Sequence, residues 1–141
     1  IIDFLVNITS NEFGFTHWKD YYQRKLVEKY KKGNNIFLIA INKENEIVGT
    51  CGGLQQSKDT IKFNCFYVDS KYRNIGIGNK LYNLFLQFVQ KEKYQEIILC
   101  TFKEYDIAKK FYEKRGFELF VTRITYILGF TFFILCLIIS L

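Results

Sequence analysis

The sequence has no methionine, one histidine (His17) and one tryptophan (Trp18) in 141 residues. Without Met, Ile1 is no initiator residue, so a processed chain or a fragment is expected. A single His excludes a multi-histidine metal centre, and no metal is expected. Cys51, Cys65, Cys100 and Cys136 stand far apart and form no C-x-x-C pair. Three of them lie in apolar, strand-like runs. They read as reduced core residues of a cytosolic protein, not as a disulfide frame. No run of five like charges occurs, so no nucleic-acid partner is indicated. The N-terminus lacks a basic stretch followed by a long apolar core. No secretory signal is therefore expected, and a cytoplasmic location is. Internal repeats, linkers and low-complexity segments are also missing.

What is present suits a folded domain. The length is that of one domain. The chain is 49% hydrophobic and 18% aromatic, enough to bury a core and too apolar for disorder. Lys and Arg number 20 against 14 Asp and Glu, a net charge of +6. That balance suits an anionic partner such as a phosphorylated cofactor, or serves solubility alone.

Periodicity supplies the elements. Trp18, Tyr21, Tyr22, Leu26 and Tyr30 recur at helical spacing, and Gly33 and Asn34 close that helix. The runs 36–41, 46–54 and 60–68 read as three strands joined by polar turns, a meander. Leu81, Leu84, Phe85, Phe88 and Val89 then mark an amphipathic helix. A short strand over 96–101 follows. A helix carrying Ile107, Ala108, Phe111 and Tyr112 comes next, capped by Gly116. A meander followed by strand–helix–strand–helix predicts an α+β fold, with helices covering a partly antiparallel sheet.

Gly76 and Gly78 stand at the junction of the third strand and the long helix. A helix N-terminus presents unpaired N–H groups and partial positive charge, and glycines let a bulky anion approach. Arg73 and Lys80 add formal charge. The pattern is not a Walker loop, because no Gly-Lys-Ser/Thr follows. Nor is it a dinucleotide fingerprint, because Leu81 stands where a third glycine belongs.

Arg73-x-x-Gly76-x-Gly78, following "FYV", resembles the pyrophosphate-binding motif of the GNAT superfamily of N-acetyltransferases. "AKKFYEKRGF", Ala108 to Phe117, resembles that superfamily's second motif. The two occur in the family's order and spacing, and the string from Leu99 to Phe117 is most similar to small bacterial-type members of unassigned substrate. The resemblance implies a splayed strand pair that forms the cleft for the co-substrate acetyl-CoA. The backbone of Phe66 and Val68 would bind the pantetheine arm. The loop Arg73, Asn74, Ile75, Gly76, Ile77 and Gly78 would hold the pyrophosphate. A small-molecule or peptide amine would attack the thioester directly. Tyr112, by its place in the motif, would act as general acid toward the leaving thiolate, and Glu12 is a candidate base beside Asp20. Two departures are visible. Tyr105 replaces an Asn that many members direct at the cofactor, and no acidic residue follows Thr60 in the third strand.

The domain is expected to span 1–123, with an apolar tail over 124–141 that carries no charge. Its β-branched and aromatic content favours closing strands, which a homodimer could share at a sheet edge. A helix buried in a membrane or a partner, or an aberrant terminus, is the other reading; a membrane span needs about 20 apolar residues. Two rival functions accompany these readings. One is an acyl-CoA-binding module without turnover, and the other is an interaction protein attached to a membrane by the tail.

Overall fold

A computed structural model describes residues 1–14, 18–101 and 106–117. The expected tail, 124–141, Cys136 and Tyr105 lie outside the described residues. The chain divides into two compact units, Ile1–Cys100 and Thr101–Leu141.

The first unit opens with a helix that the hydrophobic period did not announce, α1 (Ile2–Phe13). It buries Leu5, Ile8 and Thr9, and the Thr9 hydroxyl donates back to the Leu5 carbonyl at 2.7 Å. Gly14 ends it in the left-handed region (φ 69°). The helix expected from Trp18 to Tyr30 is present but not uniform. It runs as α2 (Trp18–Asp20), a π-helical stretch (Tyr21–Leu26) and α3 (Val27–Lys31). The wider π turn lets two consecutive tyrosines face inward: Tyr22 is buried and Tyr21 packs against the same cluster.

Strands β1 (Ile36–Ile41), β2 (Ile47–Gln55) and β3 (Thr60–Val68) form the antiparallel meander. After α4 (Ile77–Lys91), β4 (Glu96–Leu99) pairs with β3 in parallel, so the sheet order is β1-β2-β3-β4. The expected mixed α/β fold is therefore the observed one. β4 stops at Leu99, before the expected Thr101, and this corrects one reading. Cys100 is exposed, whereas Cys51 is buried and Cys65 half-buried; all three are free thiols.

The sheet of this unit carries a core on each face. Helix α4 turns Leu81, Tyr82, Phe85 and Val89 onto one face, where Phe85 meets Phe63 at 4.7 Å between ring centroids. The expected Leu84 is 41% exposed, and Tyr82 takes its share of the burial. Leu5, Tyr22 and Leu26 cover the other face, with Cys65 and Tyr67 packed beneath them. The adjacent Gly52 and Gly53 serve the two cores separately. A Cβ on Gly53 would stand 2.8 Å from Phe85, and one on Gly52 would stand 1.9 Å from the Tyr30 hydroxyl.

Candidate active site

Strand β3 pairs with β4 only from Thr60↔Glu96 to Phe63↔Leu99, yet it stays on β2 as far as Val68↔Gly49. β4 thus ends halfway along β3, and all four of its residues are paired. Just past the last of these pairs the register between β2 and β3 shifts, and Cys65 adopts φ 48°. That combination is a bulge, which twists the strand away from its neighbour. The Thr50 hydroxyl secures it by donating to the Cys65 carbonyl at 2.7 Å, and Thr50 is fully buried. On the same face Tyr30 donates to Asn64 Oδ1 at 2.5 Å. Sequence reasoning missed Thr50, Asn64 and Tyr30. The one signal was a polar Thr inside the buried "VGTCGG" run.

Beyond the bulge the backbone direction can be followed. The Asp69 N–H donates to the Val48 carbonyl at 2.9 Å, so Asp69 faces β2. Strand alternation then turns the peptide groups of Phe66 and Val68 toward the β4 side, where among the described residues no strand pairs with β3 beyond Phe63. The loop that follows is tightly held. The Asp69 carboxylate accepts from the Lys71 N–H at 2.9 Å and caps a 3₁₀ turn, Ser70–Tyr72. Arg73 Nε donates to the Val68 carbonyl at 2.8 Å. Its Nη2 pairs with the Glu12 carboxylate at the end of α1. Asn74 (φ 62°) and Gly76 (φ 92°) are left-handed, and Ile75 between them is 68% exposed.

Gly76 is the N-cap of α4, and its carbonyl accepts from the Lys80 N–H at 3.0 Å. Among the described residues no side chain caps this terminus, and no carboxylate lies in its first turn. A Cβ on Gly76 would meet nothing within 4 Å among the described residues, so the left-handed φ, and not crowding, calls for glycine there. Gly78 lies inside the first turn of α4 and makes no bend of its own. The arrangement is an open helix N-terminus beside an arginine, which favours an anion.

Burial pushes the Cys65 thiol up to about 12, with the Lys62 ammonium pulling the other way. Burial likewise raises the Cys51 thiol. Both are protonated at neutral pH and unsuited to act as nucleophiles. Asp20 is exposed and lies 3.6 Å from Arg24.

The second unit contains α5 (Asp106–Glu113), described by itself. Tyr112 is half-buried there, with its ring edge-on to Phe117 at 5.9 Å. Its carbonyl accepts from the Arg115 N–H at 2.9 Å and the Phe117 N–H at 3.3 Å, and Gly116 takes φ 77° between them. Arg115 donates to the Phe111 carbonyl at 2.7 Å and lies over the Phe111 ring. The motif's glycine and arginine thus fold the end of α5 around Tyr112.

The acetyltransferase (GNAT) family model matches residues 2–117. No curated protein matches. Among solved structures, the chain is similar to an acetyltransferase of the GNAT family from Staphylococcus aureus Mu50. Identity there is 28% and the TM-score 0.75, covering 83% of this chain and 75% of that one. An acetyltransferase from Streptococcus agalactiae 2603 has 24% identity and a TM-score of 0.72, covering 83% and 74%. A GNAT family acetyltransferase from Elizabethkingia anophelis, solved with acetyl-CoA bound, shares the fold at 22% identity and a TM-score of 0.57, covering 67% and 61%.

Proposed function

This chain belongs to the GNAT family of acetyltransferases, and from that premise we propose that it moves an acetyl group from acetyl-CoA to a primary amine by direct attack. One observation carries the reading: β4 pairs with only the first half of β3, and β3 runs on past that pairing into a loop that ends at a helix N-terminus flanked by an arginine. Acetyl-CoA supplies the activated acyl group and an anionic pyrophosphate. The chain's residues fit both demands. The amides at the start of α4 and the loop from Arg73 to Gly78 would hold the phosphates. Phe66 and Val68 would pair with the amides of the pantetheine arm as a neighbouring strand does. A backbone N–H near the bulge would polarise the thioester carbonyl.

In the transfer, the amine nitrogen bonds to the carbonyl carbon as the C–S bond breaks. The proton lost by the ammonium must leave the amine, and the thiolate must gain one. We assign the second task to Tyr112. A phenol of pKa about 10 can assist a thiolate as its charge develops, through a hydrogen bond. Glu12 is the candidate for the first task. Its carboxylate is held by Arg73, so in this reading the cradle arginine also positions the base. The protonated thiols of Cys51 and Cys65 favour direct attack over a covalent acyl-enzyme.

Calorimetric titration with acetyl-CoA, paired with free-thiol release over a panel of amines, tests the proposal. Saturable binding and amine-dependent release are expected. Binding without release for any amine would leave an acyl-CoA-binding module, and absence of binding would overturn the reading.

A further inference from the structure

A cavity of about 330 Å³ opens on the sheet face covered by the N-terminal helices. Lys29 and Lys32 line it from the end of α3, and Lys62 and Asn64 from β3. Tyr21 and Gln55 complete the polar wall, and among the described residues no carboxylate lines it. None of the three lysines has an ion-pair partner among the described residues. Such a concentration of unneutralised positive charge in a concavity attracts anions.

The wall is fixed in place. Asn35 donates to the Lys29 carbonyl at 2.9 Å and also to the Lys32 carbonyl. Its Oδ1 accepts from the Gln55 N–H at 2.7 Å, and Gln55 Oε1 accepts from the Asn34 N–H at 3.0 Å. The end of α3 is thereby clamped to β2. Lys29 also lies over the Tyr21 ring, 5.4 Å from its centroid. Asn64 is held by Tyr30 and is the residue next to the bulged Cys65. The cavity therefore reaches the point on β3 where its pairing with β4 ends. Lys62, two residues before Asn64, projects its charge onto the Cys65 thiol.

We propose that this cavity is the acceptor site, and that its substrates are primary amines carrying a carboxylate or a phosphate. The proposal rests on the acetyl-transfer reading above. The anionic end would sit among Lys29, Lys32 and Lys62, and the amine would lie toward the bulge. A cavity of this volume is at the small end of ligand sites, which suits a compound of amino-acid size. Polyamines and other cationic amines would be repelled.

The test compares matched amines: O-phosphoethanolamine and β-alanine against ethanolamine, propylamine and putrescine. Free-thiol release should give kcat/KM at least tenfold higher for the anionic members, and the ratio between the first two shows which anion is preferred. In Lys62→Gln and in Lys29→Gln/Lys32→Gln that advantage should collapse while calorimetric acetyl-CoA affinity holds. Equal or better use of neutral or cationic amines would overturn the proposal, as would an advantage that survives loss of the lysines. If no amine is turned over, the acetyl-transfer reading fails separately, and NMR titration with O-phosphoethanolamine decides the site. Saturable shifts of the Lys62 and Asn64 amides, absent in Lys62→Gln, support an anion pocket; unshifted amides overturn it.

Discussion

At the scale of single residues, the site divides into positions whose role is visible in their type and positions whose role is set by a distant neighbour. Gly76 belongs to the first kind. A glycine before an amphipathic helix already suggested a cradle, and φ 92° with no described atom near its Cβ is the geometry such a cradle needs. Gly76→Asp should weaken acetyl-CoA binding at least tenfold, about 1.4 kcal/mol, by calorimetry. The left-handed φ strains any side chain there and should lower stability somewhat, but the fold should survive because no described atom crowds the Cβ. Tyr112 tests the assigned general acid. Tyr112→Phe keeps the edge contact with Phe117 and deletes only the hydroxyl. We expect kcat to fall at least tenfold, within the ~10²–10⁴-fold typical of such assistance, with affinity and melting temperature preserved. A wild-type rate would send the proton elsewhere. Glu12 belongs to the second kind, since only the folded chain brings it to Arg73, 61 positions away. Glu12→Gln separates its two roles. As the base it should cost at least tenfold in kcat, whereas a mere partner of Arg73 would alter acetyl-CoA affinity and spare kcat.

Elements were legible where local pattern and tertiary demand coincide. β1 and β3 begin and end where the apolar runs do, and α4 follows its stripe. Helix α1 was missed because Leu5, Ile8 and Thr9 are its buried positions, and a buried Thr bonding to its own helix backbone looks polar in a sequence. The π turn is equally hidden, since it depends on what Tyr21 and Tyr22 meet. The paired glycines of β2 show the same limit. "CGG" reads as a weak strand, yet each glycine admits a side chain from an opposite face. Gly52→Ala would force apart the Tyr30–Asn64 hydrogen bond, and stranding partly buried polar groups costs about 1–3 kcal/mol. Urea unfolding should show a loss of that size. In a Tyr30→Phe background the added loss should be smaller, because the bond is already gone. Full additivity would mean that the two residues do not compete for this space.

For the whole molecule, buried thiols and phenols make stability sensitive to alkali. Burial raises Cys51, Cys65, Tyr22 and Tyr30 above their ordinary values, so the folded chain keeps protons that the unfolded chain releases. Their contribution is fully present below about pH 8.5, the ordinary cysteine value, and is lost as pH rises toward the folded values. The urea midpoint should therefore fall between pH 8 and pH 10.5, and Cys51→Ala should lose less over that interval. A midpoint flat across the window would refute the linkage. The short parallel pairing of β3 with β4 has a different consequence, in the order of folding. The meander closes through tight turns, but Thr60 and Glu96 are 36 positions apart, and closing so long a loop costs roughly 1.5 kcal/mol more entropy. The antiparallel strands can assemble first, and β4 joins only after α4 has wound and docked. The cleft is then the last part of this sheet to be built, and its shape is inherited from a scaffold already in place.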